Sequence, residues 1–257
     1  MTDAPASKRA VRAAFDRAAA AYDSVAHVQR SACDRLFALG TPHLSTAARV
    51  VDAGCGTGYA LPGLRQRFPD AELCAVDFAP AMLARLPAGL AHPLCADLEQ
   101  LPVADACMDL LWSSYALQWC APRRALADIA RVLRPGGQVW LATLGPGTLF
   151  ELRDAFAAVD DAEHVLRFQP PEVVEDAAES AGLRLLASER DTLQAWAPDL
   201  RRLLHDIKTL GAHQTGATRR PLRKTDLARL TAAYEAYRTP DGLPASYDTL
   251  WLVAEKP

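Results

Sequence analysis

The sequence predicts an α/β protein, a mostly parallel sheet with helices on both faces. Three observations predict it. Short apolar runs alternate with helix-period segments from Arg49 onward, the pattern of strand–helix–strand units. Those runs are apolar throughout rather than alternating with polar residues, which suits strands buried on both faces. The first run, "VVDAGCGTGYA" at 50–60, breaks directly into glycines, as a strand-to-helix turn that faces a ligand does.

Taken in chain order, "SKRAVRAAFDRAAAAY" (7–22) reads as a helix with Ser7 as N-cap and Val11, Phe15 and Tyr22 on one face. "HVQRSACDRLFALG" (27–40) reads as a second helix, with Gly40 as its stop. These form an N-terminal helical cap, placed at 1–44. "RVVDA" is the first strand, and 59–68 a helix. "ELCAVD" is the second strand, and 80–86 a short helix. "HPLCAD" is the third strand and "CMDLLWSS" the fourth, followed by a helix at 122–133. "RPGG" is a turn before the fifth strand, "QVWLATL". Helices follow near 146–160 and 170–181, then the strand "LRLLASERD"; "TLWLVAEK" closes the chain as a strand. Between those two strands, 192–246 reads as two helices, near 197–210 and 225–238, joined by "GAHQTGATRRPLRK". A segment this long inside a domain is expected to be a lid or substrate platform. The whole, 1–257, is therefore expected to be a single domain, with 45–191 and 247–257 as the core sheet and 192–246 as a helical insertion before the last strand.

Composition narrows the function classes. Of 257 residues, 50% are hydrophobic and 23% charged, and the net charge is −3. No global charge draws the chain to nucleic acid or membrane. The six cysteines, at 33, 55, 74, 95, 107 and 120, form no C-x-x-C pair. They are expected to be reduced thiols, with no disulfide framework and no metal site. No apolar leader or bilayer-length run is present, so a cytoplasmic protein is expected.

The glycines at 54, 56 and 58 are spaced G-x-G-x-G, one residue tighter than the G-x-G-x-x-G of dinucleotide sites. Asp52 precedes them, where a carboxylate would repel a pyrophosphate and suit a cation. S-adenosylmethionine carries a sulfonium and an amino group and no phosphate, so charge favours it. Asp77 ends the second strand, where a carboxylate can accept both ribose hydroxyls. Asp97 ends the third strand, placed to accept from an adenine amine with Leu98 against the ring.

These residues resemble the class I S-adenosylmethionine-dependent methyltransferases. The likeness is carried by "VVDAGCGTG", "AVDFAPAML", "CADLEQLP" and "ARVLRPGGQVWLAT". It implies a Rossmann-like seven-stranded sheet in the order 3-2-1-4-5-7-6, with the seventh strand antiparallel. It also adds Cys55, Phe78, Met82 and Ser113 to the expected cofactor contacts. A narrower resemblance, in "VRAAFDRAAAAYDSVAHVQR", "SSYALQWC", "ATLGPGTLFELRDAF", "HVLRF", "HDIKTLGAHQTG" and "GLPASYDTLW", is to the malonyl-acyl carrier protein O-methyltransferases of biotin synthesis. It implies methylation of the free carboxyl of a malonyl thioester, the start of pimeloyl and biotin synthesis, borne on acyl carrier protein or coenzyme A. The alternative within the superfamily is a quinone precursor or another small carboxylic acid. An oxidoreductase and a non-catalytic carrier-binding module are the other classes weighed.

A malonyl carboxyl is already ionised at neutral pH, so no general base is expected. Alignment and exclusion of water would do the work, with Tyr22, Gln118 and Trp119 as candidates. Arg167, Lys208 and His213, in the matching motifs, are the candidates to hold the acceptor carboxylate. Between 201 and 229, eight basic groups (Arg201, Arg202, Lys208, Arg219, Arg220, Arg223, Lys224, Arg229) stand against Asp206 and Asp226. That excess suits an acidic carrier protein or the phosphates of a coenzyme A thioester.

Overall fold

β1 (Arg49–Ala53) lies at the middle of a seven-stranded sheet and feeds the glycine loop. The computed structural model describes residues 7–211 and 222–257. The other strands are β2 (Glu72–Asp77), β3 (His92–Cys95), β4 (Met108–Ser114), β5 (Leu133–Leu144), β6 (Arg184–Ala197) and β7 (Leu243–Glu255). Their order is β3-β2-β1-β4-β5-β7-β6. All pairs from β3 to β5 are parallel, and β7 runs antiparallel to both neighbours. Order and direction agree with the expectation.

Side-chain alternation divides the core into two layers. Leu110 and Trp112 of β4, Trp140 and Ala142 of β5, and Trp251 and Val253 of β7 face one layer. Leu111, Val139, Leu141 and Leu252 face the other. The first layer is covered by α2 (His27–Gly40) and α3 (Leu61–Arg67), the second by α5 (Pro122–Val132) and α7 (Pro171–Ser180). Trp251 donates its indole N–H to Ala32 O at 2.9 Å, which anchors α2 to the sheet. Gly40 ends α2 for a different reason from the one expected. Its φ is an ordinary −79°, but a Cβ there would stand 2.2 Å from the Trp140 ring. Close packing, rather than a left-handed stop, requires that glycine.

α1 (Lys8–Ala18) begins at Ser7, whose Oγ accepts from Ala10 N at 3.2 Å. α4 (Pro80–Leu83) follows β2, and Ala79 and Met82 pack under Ala18 and Ala19 at the C-terminal end of α1. α6 (Phe150–Phe156) follows β5. α8 (Leu200–Thr209) is capped by Asp199, which accepts from Arg202 N at 2.8 Å, and α9 (Lys224–Tyr234) packs on α6. No helix among the described residues is long and apolar enough to cross a membrane.

Two boundaries differ from the sequence pattern. The "RPGG" segment extends β5 rather than turning before it, because Met108 pairs with Leu133 and Lys256 N–H reaches Gly137 O at 2.9 Å. β6 and β7 also run on as a long hairpin, pairing as far as Ala197 with Leu243. "TLQAWA" keeps the two-residue alternation of an edge strand, with Leu193 and Ala195 half-buried and Gln194 and Trp196 exposed. The outward tryptophan disguises that alternation. The helices of the expected insertion therefore start from the end of a strand pair.

Candidate active site

The glycine loop lies at the carboxyl ends of β1 and β2, and the backbone N–H groups of Gly54 and Cys55 both donate to Val76 O, at 2.7 and 3.0 Å. Gly54 has φ +80°, and a Cβ there would meet that of Ala116 at 2.3 Å. Gly56 has φ +53°, with open space where a Cβ would point. Both line the candidate cofactor cavity. Gly58 does not: a Cβ there would strike Leu86 and Pro87, so it serves the packing of the turn.

Asp77 stands beside this loop. Its Oδ2 accepts from Gly56 N at 2.9 Å and its Oδ1 from Ala79 N at 2.8 Å. Burial raises its pKa, and these N–H groups oppose the rise. Each oxygen keeps a lone pair for a further donor. Asp77, Phe78, Met82, Asp97 and Leu98 line the same cavity as Gly54 and Gly56.

Asp52 and Cys55 line a smaller adjoining space, with Tyr22 and Ser114. Asp52 is 2% exposed, and its Oδ2 has no hydrogen-bond partner. Burial, and then the charge of Asp77, push its carboxyl up to about 8. A buried carboxylate without a partner is costly, and a cationic donor is what relieves the cost.

Ser113, expected among the cofactor contacts, does not line the cavity. Its Oγ donates to Ala53 O at 2.7 Å in the core, and Ser114 faces the cavity instead. The alternation of β4 decides this, because Ser114 shares the face of Trp112.

A second cavity of about 350 Å³ adjoins the first, and the two share Phe15, Tyr22, Tyr115 and Trp119 as walls. Phe15 stands edge-on to Trp119, with ring centroids 5.7 Å apart, and the Trp119 indole N–H is buried without a partner. Tyr115 has a φ of 55°, a strained conformation for a bulky residue and one that clusters at functional sites. Its hydroxyl is 2.6 Å from Thr249 Oγ1, and its carbonyl accepts from Gln118 Nε2 at 2.6 Å. Gln118 and Lys208 line this second cavity, Lys208 from an exposed position. Arg167 does not. Its side chain is 89% exposed and paired with Glu163, because buried Val165 turns that segment inward and leaves Arg167 outside. His213 lies outside the described residues.

Sequence reasoning missed Lys8. Its Nζ is 2.5 Å from Asp97 Oδ2 and 2.9 Å from Glu99 Oε2, so α1 is tied across the cavity to the loop after β3. Nothing local signals a contact between residues so far apart in the chain. Among the described residues, no group of three His, Cys, Asp or Glu could hold a metal.

The comparisons with known proteins bear on this geometry. Residues 51–141 match the family model described as a methyltransferase domain. The malonyl-[acyl-carrier protein] O-methyltransferase of Dechloromonas aromatica is 45% identical over 255 residues, which cover 97% of this chain and 95% of the relative. This chain belongs to the malonyl-[acyl-carrier protein] O-methyltransferase family. A relative of the same name from Halorhodospira halophila is 43% identical, over 95% of this chain and 86% of its own. Among solved structures, the Streptomyces coelicolor geranyl diphosphate C-methyltransferase, complexed with Mg2+, geranyl diphosphate and S-adenosyl-L-homocysteine, aligns with TM-score 0.54 at 14% identity, covering 87% of this chain and 79% of that one. The [4+2]-cyclase SpnF aligns with TM-score 0.54 at 22% identity, covering 87% and 81%. These two share the fold of this family member, and they show that one fold serves different reactions.

Proposed function

We propose that this family member transfers the methyl group of S-adenosylmethionine to the free carboxyl of a malonyl thioester, giving the methyl ester and S-adenosylhomocysteine, as a first step towards the pimeloyl chain of biotin. The observation that carries the reading is the pair of adjoining cavities that meet at Phe15, Tyr22, Tyr115 and Trp119. A donor and an acceptor seated in them would react across that aromatic wall.

The residues fit the cofactor. Bound there, S-adenosylmethionine supplies an electrophilic methyl on a sulfonium. The unpartnered Asp52 oxygen suits its positive charge, Asp77 its ribose hydroxyls, and the open side of Gly56 lets backbone approach closely. Asp97 with Leu98 suits the adenine, and Phe78 and Met82 give that end an apolar wall. The acceptor carboxyl is ionised at neutral pH and requires no base. Attack by an anion on a cation neutralises charge, so the apolar walls favour it by excluding water. Tyr22, Gln118 and Trp119 act by alignment.

The acceptor travels on acyl carrier protein in this reading. Arg201, Lys208, Lys224 and Arg229 are exposed on α8 and α9, and Lys208 stands at the mouth of the acceptor cavity. A basic surface there favours an acidic carrier and speeds encounter. The setting is the cytoplasm. The deciding experiment incubates malonyl-carrier protein, malonyl-coenzyme A, free small acids and a quinone precursor in parallel with enzyme and cofactor. One added methyl by mass spectrometry on the malonyl thioester is expected. Methylation of the free acids or the quinone precursor alone would overturn the reading.

Two predictions arise from the site. Asp52 ionises only near pH 8 in the free protein, and a bound cation favours the charged form. Cofactor binding near pH 7 should therefore release a proton from Asp52, and affinity should rise as pH climbs through 8. Calorimetry in buffers of different ionisation enthalpy measures the release, and Asp52→Asn should remove it. Equal proton release in the variant would refute the assignment. The same shift has the opposite sign for folding. The unfolded carboxyl ionises near 4 and the folded one near 8, so stability falls as pH rises between those values.

The second concerns the acceptor. Lys208→Ala should raise the KM for malonyl thioester several-fold with cofactor affinity unchanged, whereas Arg167→Ala should resemble wild type. Steady-state kinetics with both substrates varied tests the pair.

A further inference from the structure

The acceptor cavity is walled mostly by apolar side chains, among them Leu149, Leu152, Val165 and Phe168. An anionic carboxyl in such a wall needs a buried hydrogen-bond donor. Arg167 points outward, Lys208 is exposed, Gln118 gives one of its two amide N–H groups to Tyr115 O, and the buried Trp119 indole N–H is neutral and sits on the wall shared with the cofactor cavity.

His164 also lines this cavity, and its side chain is only 5% exposed. Its ring lies flat on Phe156, with centroids 3.6 Å apart and planes 2° from parallel. Its Nε2 is 2.7 Å from Asp160 Oδ1. Asp160 is itself held in place, because its Oδ1 accepts from Ala162 N at 3.0 Å and its own N–H donates to Phe156 O at 3.2 Å. The ring is thus fixed in plane by Phe156 and in rotation by Asp160. That leaves Nδ1 as the ring nitrogen available to a ligand.

We infer that His164 is the buried anchor of the acceptor, donating its Nδ1–H to the ionised carboxyl of the malonyl group while Asp160 holds the ring. The inference rests on the malonyl thioester reading above. With Asp160 Oδ1 accepting the Nε2–H hydrogen bond, a ring that also donates Nδ1–H to the bound carboxylate carries both protons and is the imidazolium. That cation selects an anionic acceptor over its neutral ester, because methylation removes the charge that the imidazolium holds. The product ester is then bound more weakly than the substrate, which favours release. Asp160 is a positioning residue. Its neighbour Arg167, which the sequence motif offered, is displaced from this role by three residues of chain.

The test uses the full chain with malonyl-carrier protein. His164→Phe keeps the stack on Phe156 and removes the donor. It should raise the KM for the malonyl thioester by about tenfold or more, the scale of one hydrogen bond to a charged group. The dissociation constant for the cofactor should stay unchanged. His164→Gln, which restores an N–H, should recover part of the loss, and Asp160→Asn should raise KM by a smaller factor. A His164→Phe variant with wild-type KM would overturn the inference. Should that variant fail to fold, the histidine ring signals of the wild type serve in its place. The His164 Cε1 proton should shift on addition of a malonyl thioester, and a stationary signal overturns the assignment. The two readings fail separately: a wild-type KM in the His164→Phe variant, with a wild type that methylates the thioester, removes only the histidine role, whereas a wild type without turnover removes both.

Discussion

Asp77→Ala is expected to raise the dissociation constant for S-adenosylmethionine by about two orders of magnitude or more, since two hydrogen bonds to a charged group are worth about 3–6 kcal/mol together. The carboxylate has a double task. It would receive the ribose hydroxyls, and it already holds the loop by accepting from Gly56 N and Ala79 N. Alanine leaves both donors without their acceptor, so the loop loosens as the ligand contact disappears. Calorimetric titration measures the affinity, and thermal unfolding separates loop loosening from global loss. Unchanged affinity in a folded variant would remove the ribose role.

Gly54→Ala and Gly56→Ala are expected to fail in opposite ways. At Gly54 the left-handed φ of +80° costs alanine about 1–2 kcal/mol. The new Cβ would also lie 2.3 Å from Ala116 Cβ, and overpacking of that kind adds about 1–3 kcal/mol. Chemical denaturation should therefore show a loss of roughly 2–5 kcal/mol, the sum of those costs, with part of it recovered on adding Ala116→Gly. At Gly56 nothing lies within 4 Å of the built Cβ, so only the φ cost of about 1–2 kcal/mol applies. Gly56 lines the candidate cofactor cavity, however, so a side chain there should lower affinity sharply. A Gly56→Ala variant that binds the cofactor normally would show that the ligand does not approach this backbone.

Much of the candidate site was legible from local sequence. Gly54, Gly56, Asp77, Asp97 and Leu98 lie at or within three residues of strand ends, and in a parallel sheet all such ends share one edge, so naming the strands brings these residues together. Ser113 was misplaced because two serines in succession at the end of β4 differ only in parity, and "WSS" does not say which face meets the ligand. Arg167 is the cation that "HVLRF" offers for a carboxylate, yet its side chain lies outside the cavity. In the irregular segment between α6 and α7 no periodicity tells inward from outward.

The alternation of strands and helices, the loop and its acids were written in the sequence, and the motifs they form carried the family resemblance that implied the strand order. Each depends on short-range pattern: apolar runs, turn glycines and carboxylates at strand ends. Tertiary structure alone decided the pairing of Lys8 with Asp97 and Glu99, the approach of Gly40 to Trp140, and the reach of the β6–β7 hairpin to Ala197. It also decided which polar groups face the acceptor cavity. Those features join residues far apart in the chain, and their partners are chosen by packing of the whole core, which no local pattern encodes.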